Sequence, residues 1–213
     1  MAKTCRDTTT LALKKLGVVR SGGEPQAAEG ADALASLQSF YMECITQGTF
    51  GRVFNVSMTS AGTVTPGGNQ HINVLTEDAV SIDLPSSVPA CYWETWRPCR
   101  DYGWGLNVPF GADTGVTVPR DKAVVMVTDQ YGDSRATYLY DGTIQRWLRV
   151  DVLTDNDEAP LSARSPDGLA SVLAVRMTDQ FGAEMLSPVT LQSANRYKTS
   201  LVTNYGNADE CYG

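Results

Sequence analysis

The side chains best suited to catalysis or metal binding are five cysteines and one histidine. Cys91 and Cys99 stand eight positions apart among aromatic residues, and with His71 they could in principle bind a metal ion. No fourth ligand lies at a recognisable spacing, and no C-x-x-C pair occurs. The odd number of cysteines predicts reduced, buried or half-buried thiols rather than a disulfide framework. We expect no metal and no cofactor.

Common catalytic and nucleotide-binding motifs are missing from the sequence. It contains no G-x-x-x-x-G-K-[ST], G-x-S-x-G, H-E-x-x-H or S-x-x-K. With a single histidine, most catalytic sites that rely on general acid–base chemistry would lack a required residue, so an enzyme is not expected. A hydrolase remains open as an alternative if Asp101, Asp113 or Asp129 lie in a cleft as a perturbed acidic pair.

The acidic segment Asp155-Asn156-Asp157-Glu158 resembles the start of a calcium-binding loop. An EF-hand needs an oxygen ligand and a glycine at the next positions, where this chain has Ala159 and Pro160. The segment is therefore interpreted as a solvated acidic turn that leads into a helix.

The most suggestive patch is a cluster of aromatic and basic residues between positions 92 and 104. Its members are Tyr92, Trp93, Trp96, Arg97, Arg100, Tyr102 and Trp104. Trp, Tyr and Arg dominate interaction hot spots, so the cluster could be a sugar platform or a protein-docking surface. The cluster lacks the set of polar side chains that a ligand-binding site usually contains, so a role in the core or in a subunit interface is favoured. The candidate interaction residues are Trp93, Trp96, Trp104, Arg97 and Arg100, with Tyr205 and Tyr212 near the end of the chain.

Composition limits the possible partners. The 213 residues are 42% hydrophobic, enough for a real core, and the net charge is −7 with a pI near 4.7. This acidic balance argues against a surface built to grip nucleic-acid phosphates. No apolar run has the length of a signal peptide or of a membrane span, so we expect no membrane association and assembly in the cytoplasm.

Two predicted helical hairpins bracket a β-rich middle. The first helix covers about residues 4–16 and ends at Gly17; the second begins with Pro25 in its first turn and ends near Gly48. The expected inner stripe of the first is Cys5, Thr9, Ala12, Leu13 and Leu16, and that of the second is Ala27, Ala31, Leu34, Leu37, Tyr41, Cys44 and Ile45.

The C-terminal hairpin has matching start and stop signals. Ser165-Pro166 opens one helix that ends at Gly182, and Ser187-Pro188 opens another that ends at Gly206. Their expected inner stripes are Leu169, Val172, Leu173, Met177 and Phe181, then Leu191, Ala194, Tyr197, Leu201 and Tyr205.

In the middle segment, residues 123–127 are apolar on both faces and predict a strand covered on both sides. Residues 138–140 and 144–150 flank Asp141-Gly142 and predict a hairpin with a type I′ turn. The expected fold is α+β: an antiparallel helical bundle formed by two terminal hairpins, residues 1–48 and 164–206, with a β-rich insert at 49–163. Residues 207–213 are expected to form an extended tail that contacts an adjacent ring.

The pattern LALKKLGVVRSGGEPQAAEGADALASLQSFYMECITQG resembles the opening of the head-to-tail adaptor (connector, head-completion) proteins of tailed bacteriophages, of the tail accessory factor and tail tubular protein A type. Leu16-Gly17-Val18 and Gly23-Glu24-Pro25 match that family's helix end and turn. Further matches are Tyr138 to Gly142, Trp147, Leu153, Asp157 to Ser162, Gly168-Leu169-Ala170, Leu173-Ala174 and Phe181-Gly182. The sequence departs from the family at Tyr41-Met42, where relatives have tryptophan, and in the middle segment.

This resemblance implies a structural virion protein that forms a ring, usually of twelve identical subunits, beneath the portal protein at the capsid vertex. Its expected partners are the portal and a downstream tail, stopper or nozzle protein, and DNA would pass through without specific binding. The alternative is a phage carbohydrate- or receptor-binding module that uses the aromatic cluster.

Overall fold

The computed structural model describes residues 3–51, 121–129, 134–182 and 185–202, and, as backbone only, six short strands between residues 55 and 117. The described elements are α-helices and β-strands, so the fold class is mixed α+β. The helices are α1 Cys5–Lys15, α2 Ala27–Thr46, α3 Pro166–Phe181 and α4 Pro188–Leu201. The strands are β1 Asn55–Thr59, β2 Gly62–Val64, β3 Gln70–Val74, β4 Val80–Ile82, β5 Val88–Pro89, β6 Val116–Thr117, β7 Val124–Asp129, β8 Ser134–Asp141 and β9 Arg146–Arg149.

The chain divides into two compact units. Residues 1–49 and 150–202 form the first, here called the helical unit, and residues 50–149 lie in the second, the strand unit. Within the helical unit α3 contacts α1, α2 and α4, and α1 also contacts α2. Helices from the two ends of the sequence therefore share one core.

Local capping explains where α1 begins and ends. Thr4 and Asp7 form a capping box, in which the Asp7 backbone N–H donates to Thr4 Oγ1 at 3.0 Å. The helix stops before Gly17, whose φ of 78° is a conformation that favours glycine. Most of the expected stripe is buried, namely Cys5, Thr9, Ala12 and Leu13.

The second helix departs from its predicted inner stripe in the first turns. It begins at Ala27, so Pro25 precedes the helix instead of lying in its first turn. Ala27 and Ala31 are exposed, which corrects the predicted stripe. Burial starts at Ala33 because only the later turns of α2 are covered. The buried residues are Ala33, Leu37, Phe40, Tyr41, Cys44 and Ile45.

The start signals of α3 and α4 are confirmed. Ser165 Oγ accepts from the Gly168 N–H and Ser187 Oγ accepts from the Thr190 N–H, both at 3.1 Å. Gly182 ends α3 with φ 62°. The stripe of α4 needs one correction: Leu191 is 43% exposed and Thr190 is buried in its place. The helix ends at Leu201, before the end that was predicted at Gly206. Tyr205 and Gly206 lie outside the described residues.

Residues 150–163, which the sequence placed in the β-rich insert, cluster with the helices. The Ala159 N–H donates to Lys3 O at 2.8 Å, and the Tyr41 hydroxyl donates to Pro160 O at 2.5 Å. Both partners come from the N-terminal hairpin, which a local sequence pattern cannot anticipate.

The main sheet of the strand unit has the order β1-β3-β7-β8-β9. β1, β3 and β7 run parallel, whereas β8 is antiparallel to both β7 and β9. Ala123, Val124 and Val125 are almost completely buried, as expected for a strand covered on both sides.

The β8–β9 hairpin is confirmed, but its turn differs from the predicted type I′ turn. Asp141 still pairs with Arg146, so the connection comprises residues 142–145, and the positive φ falls on Gln145 at 54°. Gly142 serves another purpose. A Cβ at this position would lie 2.8 Å from Asp121 Oδ1, which accepts the Gly142 N–H at 2.9 Å.

Candidate interaction surface of the helical unit

The interaction residues predicted from the sequence lie outside the part of the chain that the structure describes. These are Trp93, Trp96, Arg97, Arg100, Trp104, Tyr205 and Tyr212. The residues considered as possible metal ligands or hydrolase carboxylates are not described with side chains either. Cys91, Cys99, Asp101 and Asp113 fall outside the described residues, and His71 and Asp129 are described only as strand backbone. A candidate surface must therefore come from other residues.

Cys5 and Cys44 are buried free thiols in the helical unit. Burial raises the pKa of Cys5 to about 12, and the negative charges of Asp157 and Asp155 add to the shift. Burial also raises the pKa of Cys44 to about 11. Both thiols stay protonated near neutral pH, and a protonated thiol is a poor nucleophile and metal ligand. Among the described residues no group of three or more His, Cys, Asp or Glu is arranged to hold a metal ion.

The acidic turn, residues 155–158, is fixed at the start of α1. The Cys5 N–H donates to Asp157 O at 2.8 Å, and the Arg6 N–H donates to Asp155 O at 3.0 Å. Asp157 Oδ2 accepts the Thr154 N–H at 2.7 Å. The turn therefore satisfies backbone donors that a helix N-terminus leaves unpaired, while the Asp155 side chain faces solvent.

A cleft with a volume of about 500 Å³ lies between the start of α3 and the outer face of α4. We call it the α3–α4 cleft. Its lining residues are Arg164, Ser165, Asp167, Val189, Gln192, Ser193, Arg196, Tyr197 and Ser200. Positions 189, 192, 193, 196 and 200 recur at helical spacing, so they form one face of α4. This periodicity is the local sequence signal of the surface, which contains no cysteine or histidine.

The α3–α4 cleft carries positive charge. Its acid, Asp167, is held by Lys15 Nζ at 2.6 Å and by the Ser193 hydroxyl at 2.9 Å. The hydrogen bond from Lys15 is the main cause of the lowered Asp167 pKa, so this carboxylate is already neutralised by a partner. Arg196 is exposed and supplies the remaining positive charge.

Large exposed apolar side chains lie at both ends of the same helix. Met185, just before α4, is 91% exposed, Val189 is 74% exposed, and Val202 at the end of α4 is 53% exposed. Exposed apolar side chains beside polar groups offer surface for contacts with another protein. The outer face of α4 is therefore the best candidate interaction surface among the described residues.

The ion pair between α2 and α3 has a structural role by contrast. Arg176 donates to Glu43 and lies over the Phe40 ring, 5.9 Å from the ring centroid. The hydrogen bond from Arg176 is the main cause of the lowered Glu43 pKa. These contacts join two helices of one unit and leave no open site.

The chain matches no protein-family model, and no curated protein sequence matches it significantly. Within the described residues, no helix combines the length and apolar character needed to cross a membrane.

Proposed function

We propose that this chain is a structural protein of a tailed bacteriophage virion. Its subunits form a ring, expected to contain twelve copies, that joins the portal at the capsid vertex to the next tail, stopper or nozzle protein. In this proposal the protein is not an enzyme. It is assembled in the host cytoplasm and remains in the virion at the head–tail junction.

The observation that carries this proposal is the shared core of the two ends of the chain. Residues 1–49 and 150–202 form one unit in which α3 contacts α1, α2 and α4. We interpret this unit as an antiparallel bundle of two terminal hairpins, with the strand unit as a lobe inserted between them. This is the arrangement implied by the adaptor-like motifs in the sequence.

The exposed face of α4 gives the proposal a surface for assembly. A ring of identical subunits uses a head-to-tail contact between two different faces of the same protein. The apolar residues Met185, Val189 and Val202 offer surface for such a contact. The described residues favour assembly over catalysis because the buried thiols are protonated and the Lys15–Asp167 and Arg176–Glu43 ion pairs join helices.

The experiment is native mass spectrometry of the 213-residue protein, alone and mixed with the portal protein of its phage, followed by class averages of the particles. Closed rings built only from copies of this chain and bound to the portal would support the proposal. Saturable binding to a glycan array by a protein that never binds the portal would overturn it in favour of a receptor-binding module.

A further inference from the structure

We propose that neighbouring subunits lock together by inserting the acidic turn of one copy into the α3–α4 cleft of the next. This contact rests on the proposed ring and names the two faces that form it. The occupant of the cleft is thus a second copy of this chain, and the recognised group is the Asp155 carboxylate.

The cleft provides the receiving side. Arg196 lies on the exposed face of α4 and, within the described residues, has neither an ion pair nor a hydrogen bond. Asp167 accepts hydrogen bonds from Lys15 and Ser193, and among the described residues it forms no ion pair with Arg196. Gln192 and Ser200 add polar groups to the lining of the same cleft. A carboxylate is the chemical group that an arginine in such surroundings binds best.

The acidic turn provides the inserting side. Two backbone hydrogen bonds to Cys5 and Arg6 hold it against α1, and a third from Ala159 to Lys3 fixes its far end. Asp155 remains exposed on this fixed support. Because the turn is already ordered, binding would immobilise little additional chain, and little conformational entropy would be lost.

The two faces contact α1 through different residues. The acidic turn bonds to the first residues of α1, whereas Asp167 in the cleft bonds to Lys15, the last residue of the helix. Among the described residues, no ion pair joins Asp155 to Arg196 within one copy. The faces are therefore available to separate neighbours, which is the geometry of a head-to-tail contact.

Charge complementarity selects this occupant. The chain carries 24 acidic and 17 basic residues, so copies approaching one another repel unless a basic face is presented. The α3–α4 cleft is such a face, and the acidic turn is its complement on the same protein. Opposite charges on the two faces would also fix which face meets which.

The test is a charge exchange in the full-length protein. Arg196→Glu and Asp155→Arg are each expected to raise the concentration needed for half-maximal ring assembly by about tenfold or more, since each places like charges together. An equimolar mixture of the two variants should restore assembly, because the altered cleft of one then meets the altered turn of the other. The double variant should assemble for the same reason.

Matched controls use the same charge changes elsewhere in the helical unit. Lys198→Glu on α4 and Asp179→Arg on α3 alter exposed residues that do not line the cleft, and should leave assembly within about twofold of the parent. Circular dichroism with a urea titration shows whether each variant is folded. Assembly is followed by native mass spectrometry and sedimentation velocity, alone and with the portal.

The outcomes separate the contact from the ring itself. If the two single variants assemble like their controls, the contact is wrong and the ring proposal stands. If the mixture fails to recover assembly while both variants are folded, the pairing of these two faces is wrong. If the parent protein forms no oligomer, alone or with the portal, the proposed function and the contact both fail.

Discussion

Single side chains in the helical unit have sharply different environments, and Leu173 and Leu191 show this best. Leu173 on α3 is 1% exposed, whereas Leu191 on α4 is 43% exposed. Leu173→Asp would bury a charge without a partner and should lower the free energy of unfolding by about 4 kcal/mol. Leu191→Asp should change it by less than about 0.5 kcal/mol. Urea denaturation of both variants tests this, and equal losses would place Leu191 in the core.

The buried thiols predict how stability depends on pH. Cys5 and Cys44 have pKa values of about 12 and about 11 in the folded protein, above the ordinary value of 9.0. Above pH 9 the unfolded chain loses these protons before the folded one does. Their contribution to stability is therefore complete below pH 9 and is lost as the pH rises toward 11 and 12.

Urea unfolding of the parent protein and of Cys5→Ala at pH 8 and pH 10.5 measures this effect. The parent should lose more free energy of unfolding over that interval than the variant, because the variant lacks one of the linked protons. Native Cys5 and Cys44 should also resist alkylation at pH 8 and react once urea unfolds the chain. Fast native alkylation of either thiol would contradict the buried environment.

At the scale of elements, the contact between α3 and α4 depends on a glycine. A Cβ on Gly168 would lie 2.8 Å from Ser165 Oγ and 2.9 Å from Tyr197 Cβ. Gly168→Ala would push α4 away from α3 or disturb the cap, and should destabilise the protein by about 1–3 kcal/mol.

Gly30 in α2 is the matched control, because no atom lies within 4 Å of the place its Cβ would occupy. Gly30→Ala should therefore stabilise the protein by about 0.5–1 kcal/mol through helix propensity. Thermal and urea denaturation compare the two variants. If Gly168→Ala left the free energy of unfolding unchanged, α3 and α4 would be able to separate at that point without loss of stability.

On the scale of the whole molecule, net charge predicts how the proposed ring would interact with DNA. Seventeen basic residues against 24 acidic ones leave a repulsive average field. A channel that passes any sequence also gains nothing from contacts to base edges. We expect the assembled ring to bind duplex DNA with a dissociation constant weaker than about 1 μM at physiological salt.

A salt titration of duplex binding by the assembled ring measures this. Tight binding with a steep dependence on salt would mean that several cations, such as Lys14, Arg20 or Arg146, gather on the channel wall. The protein would then be a plug that retains DNA, and the proposal of unhindered passage would fail.

The sequence determined the starts of α3 and α4 and the ends of α1 and α3, because their signals are local. The predicted start of α2 and the predicted end of α4 were wrong. Ser165-Pro166 and Ser187-Pro188 cap the helices they precede, since a cap bonds to backbone only a few residues away. Gly17 and Gly182 end helices through their own backbone conformation. The apolar strand around Val125 was predictable for the same reason, because period and composition lie within a few residues.

Only the tertiary structure decided which of these surfaces are covered. Ala31 is exposed and Ala33 is buried because burial depends on where the neighbouring helices lie, which the pattern of α2 alone does not encode. Gly142 is fitted to a carboxylate from Asp121, far from it in sequence. The basic α3–α4 cleft likewise appears only when Lys15 arrives from the other end of the chain and neutralises Asp167. Contacts between distant residues carry no local signal, so folding itself had to create them.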